Sequence, residues 1–332
     1  MALSWTNLQR SFMRLKDTMA HDNRQLDDNK PLPLLILYLV VEFIYNVILL
    51  IVLIAYDMVS FVFARRKNVK GQVVVITGAA QGIGFELATT FAIDLGAKVI
   101  MLDRDQETNE KSAASLREMG GDASAYQCDV TNPERLNEIG ELLTANGKLV
   151  DIVIANAGIL VIGKINELQE RDIRRSIEIN TLGVFWTVRA FLPKMKAANH
   201  GHVVAISSVA GHFGETPASA YSASKFAVRG IMESVTCELY DDRKRGVRTT
   251  TAYPFFVAGT AMTTTDAVNP KSRFFKILNA RECADILVDG ILKEREHIYT
   301  AYPGICCNLF KSILASYRGQ HAVRDYFQIT YN

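Results

Sequence analysis

Gly78, Gly82 and Gly84 fall in the run Thr77-Gly-Ala-Ala-Gln-Gly-Ile-Gly84, directly after the β-branched stretch Val73 to Thr77 and ahead of a helix-length segment. Between a strand and a helix, such a run can seat a pyrophosphate. Gly78 permits the tight turn, Gly82 lets the backbone approach the phosphates, and Gly84 allows the helix to pack closely on the strand. The phosphates then lie on the helix N-terminus, whose free N–H groups and dipole favour negative charge. Gln81 and Ile83 complete this loop, which carries no basic residue. Asp103 follows about 20 residues further on, where a carboxylate accepts from a free ribose 2′-hydroxyl and repels a 2′-phosphate. That arrangement favours NAD over NADP, with the neighbouring Arg104 as the one feature suited to a 2′-phosphate.

Tyr221 and Lys225 are four residues apart, which puts both on one face of a helix. Removing a proton from an alcohol while hydride leaves its carbon needs a base near neutral pH, and a free tyrosine with a pKa of about 10 is mostly protonated. An ammonium about 4 Å away at an effective dielectric near 20 is worth roughly 4 kcal/mol, enough to lower the phenol's pKa by about three. Lys225 is thus expected to make Tyr221 more acidic. Ser208, at the end of the stretch Val203 to Ile206, is placed to hydrogen-bond the substrate oxygen and stabilise charge developing there. A Tyr-x-x-x-Lys pair alone carries little weight; its order among the other motifs gives it meaning.

The elements that must position these residues alternate. Short apolar runs at Val73 to Thr77, Lys98 to Leu102, Ser124 to Gln127, Asp151 to Ala155, His202 to Ser207, Val247 to Ala252 and His297 to Thr300 are predicted strands. Helix candidates lie between them, among them Gly84 to Leu95, Gln106 to Met119, Pro133 to Ala145, Glu170 to Ala198 and Ala220 to Tyr240. Continuous apolar runs separated by helices mean strands buried on both faces, that is, an α/β fold with a doubly wound parallel sheet of Rossmann type. Ligands of such a sheet sit at the carboxyl ends of its strands.

Composition removes other classes. With 37 basic against 35 acidic residues the net charge of +2 supplies no field for gathering a nucleic acid. Five cysteines without a Cys-x-x-Cys pair suggest neither a disulfide framework nor a zinc cluster, so no metal is expected. The chain divides into a polar N-terminal segment 1–31, a hydrophobic block 32–64, a catalytic domain 70–300 and a C-terminal tail 301–332. The block is too long for a signal-peptide core and would reach about 50 Å as a helix at 1.5 Å per residue. Glu42, Asn46 and Asp57 interrupt it, so either a single span or a segment entering one leaflet satisfies the pattern. Arg65, Arg66, Lys67 and Lys70 follow at once and assign the rest of the chain to the cytosol. Ile305 to Leu314 is too short to span, and reads either as a membrane-surface contact or as a core helix.

Taken in order, the glycine run, Asn156-Ala-Gly158, Asn180, Ser208 and Tyr221-Ser-Ala-Ser-Lys225 resemble the short-chain dehydrogenase/reductase family over roughly residues 70 to 300. The resemblance implies a catalytic set of Asn180, Ser208, Tyr221 and Lys225, with Ser208 rather than Ser207 as the serine and Asn180 holding a water beside the lysine. It implies further cofactor contacts from Asn156, Ala157 and Gly158 beside the adenine ribose and from Asp129 and Val130 near the adenine. Pro254, Val257 and Thr260 are expected near the carboxamide, with Phe255 standing where the family has a glycine. The stretch Gly259 to Asn279, with Met262, Phe274 and Phe275, is either a substrate lid or a core-packing loop. Homodimerisation through the two long helices is implied in the same way.

The hydrophobic block, Ala210-Gly-His212, Cys237-Glu-Leu239 and Val247-Arg-Thr-Thr250 resemble the membrane-associated branch of retinol and 17-beta-hydroxysteroid dehydrogenases. That branch implies a cytosol-facing enzyme on the endoplasmic reticulum membrane or a lipid droplet, oxidising retinol, a hydroxysteroid or another lipid alcohol with NAD. An NADPH-dependent retinal or ketosteroid reductase is the alternative reading, and a non-catalytic lipid-droplet scaffold the second.

Overall fold

Strand β1 (Val73–Thr77) is buried along its whole length, and its side chains alternate between two cores. A computed structural model describes residues 32–147, 149–260, 262, 271–272, 276–301 and 329–330. The described chain divides into two compact units at Ala64/Arg65.

In the second unit β1 is joined by β2 (Lys98–Asp103), β3 (Asp122–Gln127), β4 (Ile152–Ala155), β5 (Gly201–Ile206), β6 (Val247–Tyr253) and β7 (His297–Tyr299). The sheet order is β7-β6-β5-β4-β1-β2-β3, and every pairing is parallel. This is the doubly wound sheet expected from the sequence. Its order reverses between β1 and β4, so the crevice that receives a ligand opens at their carboxyl ends.

Because successive strand residues face opposite sides, Val74 and Ile76 meet Leu87, Phe91, Leu287 and Ile291 on one face. Val73 and Val75 meet Leu136, Ile139, Phe191, Val228 and Met232 on the other. The covering helices are α2 (Gly82–Thr89), α3 (Gln106–Glu118), α4 (Pro133–Ala145), α5 (Glu170–Ile177), α6 (Gly183–Ala198), α7 (Ser219–Asp241) and α8 (Ala280–Leu292). Local chemistry starts several of them. Asp105 caps α3, Asn132 caps α4 ahead of Pro133, and Asn279 with Glu282 forms a reciprocal capping box on α8.

The segment expected as one helix from Glu170 to Ala198 is two helices joined by a π turn, Glu178–Leu182. The turn is paid for by Asn180, whose buried amide bonds to groups outside the helix, as described below. A second π turn, Thr90–Asp94, continues α2 toward β2.

In the first unit α1 (Leu32–Phe63) is 32 residues long. Among the described residues no helix is long and apolar enough to cross a membrane. The longest unbroken run of described side chains in α1, residues 39–52, includes Glu42 and Asn46. Leu39, Val40, Val41, Phe43, Ile44, Val47 and Ile48 are all exposed, which spreads apolar surface over more than half of the circumference, with Glu42 and Asn46 on the remaining side. Asn46 Nδ2 donates to the Glu42 carbonyl at 2.9 Å, so this amide is satisfied within the helix. Ile305 to Leu314, Phe274, Phe275 and residues 263–270 of the expected lid lie outside the described residues.

Candidate active site

The glycine run is a close-packed turn, and Gly84 is its tightest point. A Cβ there would lie 2.0 Å from the Gly78 carbonyl oxygen and 2.6 Å from Asn156 Nδ2. One added at Gly78, which has φ +64°, would lie 2.8 Å from Ala157 Cα. Asn156 Nδ2 donates to the carbonyls of Thr77 and Gly78 at 2.9 and 3.0 Å. Thr77 Oγ1 in turn accepts the N–H groups of Asn156 and Ala157 at 3.0 and 3.1 Å. Asn156 therefore fastens the glycine turn to the end of β4. Thr77 is a functional residue that the motif reading left without a role; a threonine closing the strand just before the first glycine was the available signal.

No side chain caps the N-terminus of α2, so its first N–H groups are not consumed by Gln81. The carboxylate of Asp103 accepts from Ala80 N–H in the same turn and from Asp105 N–H, both at 3.1 Å. Those two bonds fix its orientation at the end of β2.

Several of these residues line one cavity of about 780 Å³. Its lining includes Gly78, Gln81, Gly82, Ile83, Gly84, Asp103 and Arg104, with Asp129, Val130, Asn156, Ala157 and Gly158. Pro254, Val257, Thr260 and Met262 line it as well. The Thr260 methyl would lie 3.7 Å from a Cβ on Gly82, which brings the segment after β6 over the glycine turn. Phe255 is buried against Val209 and Ala301.

The same cavity is lined by Ser208, Tyr221 and Lys225. Ser207 donates to the Lys225 carbonyl at 2.9 Å and so secures α7 to β5. Ser208, in contrast, donates to the Pro254 carbonyl at 3.4 Å, accepts from Ala210 N–H at 3.2 Å and lies beside the Tyr221 hydroxyl. The two serines thus divide between scaffold and site. Lys225 is buried, donates to the Ile206 carbonyl at 2.9 Å, and holds Nζ 5.7 Å from the centre of the Tyr221 ring.

One expectation is reversed. Burial pushes the Tyr221 phenol above its ordinary range, against the pull of its bond to Ser208, and burial brings Lys225 down to about 8. The sequence argument weighed the ammonium's attraction alone. In the folded chain desolvation of both groups outweighs it, and the lysine is committed to a carbonyl.

Asn180 does not line the cavity but lies directly behind it, fully buried in the π turn. Its Oδ1 accepts Ile159 N–H at 2.8 Å, and its Nδ2 donates to the Ile159 carbonyl at 2.9 Å and to Ser224 Oγ at 3.0 Å. Ser224 donates in turn to the Tyr221 carbonyl at 2.6 Å. The side chain thereby ties the loop after β4 to the helix that carries Tyr221. His212 is outside the cavity lining, 4.2 Å from the Tyr253 ring, and burial and Arg229 lower its pKa to about 4.

A doubly wound sheet with a glycine turn at its switch point and a Ser–Tyr–Lys cluster in the same cleft defines a dinucleotide-dependent oxidoreductase of the short-chain class. Residues 72–270 match the short chain dehydrogenase family. The chain belongs to that family, in the branch of retinol and 17-beta-hydroxysteroid dehydrogenases. It is 34% identical to human 17-beta-hydroxysteroid dehydrogenase 13, over 77% of this chain and 85% of that one. To human epidermal retinol dehydrogenase 2 it is 36% identical, over 70% of this chain and 75% of the relative. Among solved structures it is similar to a short chain dehydrogenase/reductase from Burkholderia phymatum in complex with NAD. The TM-score is 0.65 at 25% identity, covering 74% of this chain and 95% of that one.

Proposed function

We propose that the protein is a membrane-associated dehydrogenase that oxidises a lipophilic alcohol with NAD. The observation that carries the chemistry is the meeting of Ser208, Tyr221 and Lys225 in the cavity that the glycine turn also lines. The turn suits a dinucleotide: Gly84 and Gly78 leave no room for a side chain, and the α2 N-terminus offers free donors to phosphate. A nicotinamide held by these residues would supply the hydride acceptor. The chain's own residues do the rest. Ser208 and Tyr221 hold the substrate oxygen, Tyr221 takes the hydroxyl proton, and Lys225 with the Asn180 region behind it passes the proton onward. The apolar lining from Leu160 to Ile162 and Phe255 to Phe256 favours a retinoid, steroid or other lipid alcohol over a small polar one.

Asp103 supports NAD because its carboxylate is held in place by two backbone donors and faces the cavity. Asp103→Ala is expected to shift the ratio of kcat/KM values for NAD over NADP by about tenfold or more toward NADP, a loss of roughly 1.4 kcal/mol of discrimination. Steady-state rates with both cofactors check this. An unchanged ratio would move the discrimination to Arg104, which lines the same cavity and is the feature favouring the reductase reading.

The broad exposed apolar surface of α1 supports membrane attachment through residues 32–64, with residues 70–300 as the catalytic domain on the cytosolic side of the endoplasmic reticulum or on a lipid droplet. The full chain is expected to stay with membranes through an alkaline carbonate wash, and a chain starting at Arg65 to be washed off. Release of the full chain would sink the anchor. Exposed Leu182, Phe185 and Phe226 on the α5–α6 and α7 segments support homodimerisation, which light scattering in detergent would detect as twice the chain mass.

A further inference from the structure

We infer that Arg175 forms an anion subsite in the substrate part of the cavity, so that the preferred alcohol carries a carboxylate at the far end of an apolar chain. The inference rests on the alcohol-dehydrogenase reading above and names the substrate class for that site.

Helix α5 holds three arginines, and their surroundings differ. Arg174 donates to Glu170 at 2.8 Å, and Arg171 lies 3.8 Å from Asp172. Arg175 has no ion pair or hydrogen bond among the described residues, yet it lines the same cavity as Tyr221. Asp172, Arg175 and Ile179 are spaced three and then four residues apart, which sets them on one helix face, and all three line the cavity. Asp172 makes no ion pair with Arg175 among the described residues; its 3.8 Å contact is with Arg171.

This face has a direction. Its C-terminal end is Ile179, next to Asn180, and both Asn180 Oδ1 and Lys225 Nζ border Gly158, at 3.2 and 3.5 Å from a Cβ placed there. Arg175 lies five residues earlier, about 7 Å of helical rise away from the catalytic end. Leu160, Val161 and Ile162 line the same cavity. A ligand with its hydroxyl at Tyr221 can therefore lie along apolar surface and bring a distal anionic group to the guanidinium. A planar guanidinium pairs with a carboxylate through two parallel hydrogen bonds, which neither an alkyl end nor a hydroxyl can match.

The test compares ω-hydroxy carboxylates of stepped chain length with 1-alkanols of the same carbon number, using wild-type protein, Arg175→Gln and Arg175→Lys in one detergent. NAD affinity is measured in parallel by titration. Arg175→Gln is expected to lower kcat/KM for the best hydroxy acid about tenfold, mostly through KM, while the matched alkanol and the NAD affinity stay within about twofold. Arg175→Lys should restore part of the loss, and added salt should weaken the acid selectively. Equal losses on acid and alkanol, or a loss of NAD affinity, would overturn the subsite alone. Wild-type protein inert toward both alcohols would overturn the dehydrogenase reading, and the subsite with it.

Discussion

Tyr221→Phe is expected to lower kcat/KM for alcohol oxidation by about a thousandfold, within the roughly 10²- to 10⁴-fold range that a positioned acid–base group supplies. The phenyl ring keeps the packing of α7 and leaves Lys225 Nζ over an aromatic face, so only the hydroxyl beside Ser208, the proton acceptor, is lost. NAD affinity should stay within about twofold, because the glycine turn and Asp103 are untouched. Rates with a lipid alcohol and a parallel NAD titration decide the matter. Full retention of turnover would show that another group takes the proton and would take the proposed mechanism down.

The titration of the site gives the same residue a second, independent signature. Burial holds Lys225 down at about 8 and pushes Tyr221 up, so the two equilibria move apart and the pair sheds its first proton, the lysine's, near pH 8. Oxidation needs that proton gone, because only a neutral lysine can accept the proton that Tyr221 passes on. Its kcat/KM should rise as pH increases through about 8, and the reverse reduction should fall over the same interval. In Lys225→Met the rise should move to higher pH, where the raised phenol titrates alone.

That pair shows where sequence reasoning reaches its limit. The spacing of Tyr221 and Lys225 placed them on one helix face, because helical periodicity is a local property. The direction of the tyrosine's shift was not legible, since it depends on how completely two distant segments exclude water from the pair. The parallel sheet followed from runs of β-branched residues between helix-length segments, which hold over long stretches and tolerate errors of a residue or two at each end, whereas the strand order is seen only in the fold.

The π turn at Glu178–Leu182 has no such period. It exists because Asn180 bonds to Ile159 and Ser224, partners 21 and 44 residues away. Arg175 is a parallel case: beside Glu170, Arg171 and Arg174 it reads as one more charge on a solvated face, until the fold turns it toward a cavity. Thr77 was visible as part of a motif, but its work, holding Asn156 and Ala157, depends on strands β1 and β4 being neighbours.

Gly84→Ala should be the most damaging single-methyl change in the glycine turn. The added Cβ would sit 2.0 Å from the Gly78 carbonyl oxygen, and backbone offers no flexible end that can swing aside. Relief requires α2 to move off β1, which breaks the Asn156 bonds to Thr77 and Gly78 and opens the core that Leu87 and Phe91 share with Val74 and Ile76. A cost of about 3 kcal/mol, the upper part of the usual overpacking range, corresponds to a fall in Tm of roughly 6–12 °C for a domain of this size. The same displacement tilts the N–H groups of α2 away from the phosphate position, so NAD affinity should fall by at least about tenfold. Gly214→Ala is the control, because a Cβ there meets nothing within 4 Å and the residue is exposed, and its Tm should stay within about 1 °C of wild type. Thermal unfolding and NAD titration of the two variants separate the possibilities. If Gly84→Ala kept both its Tm and its NAD affinity, the turn would be loose enough to admit a side chain, and the case for a rigid phosphate cradle would fail with it.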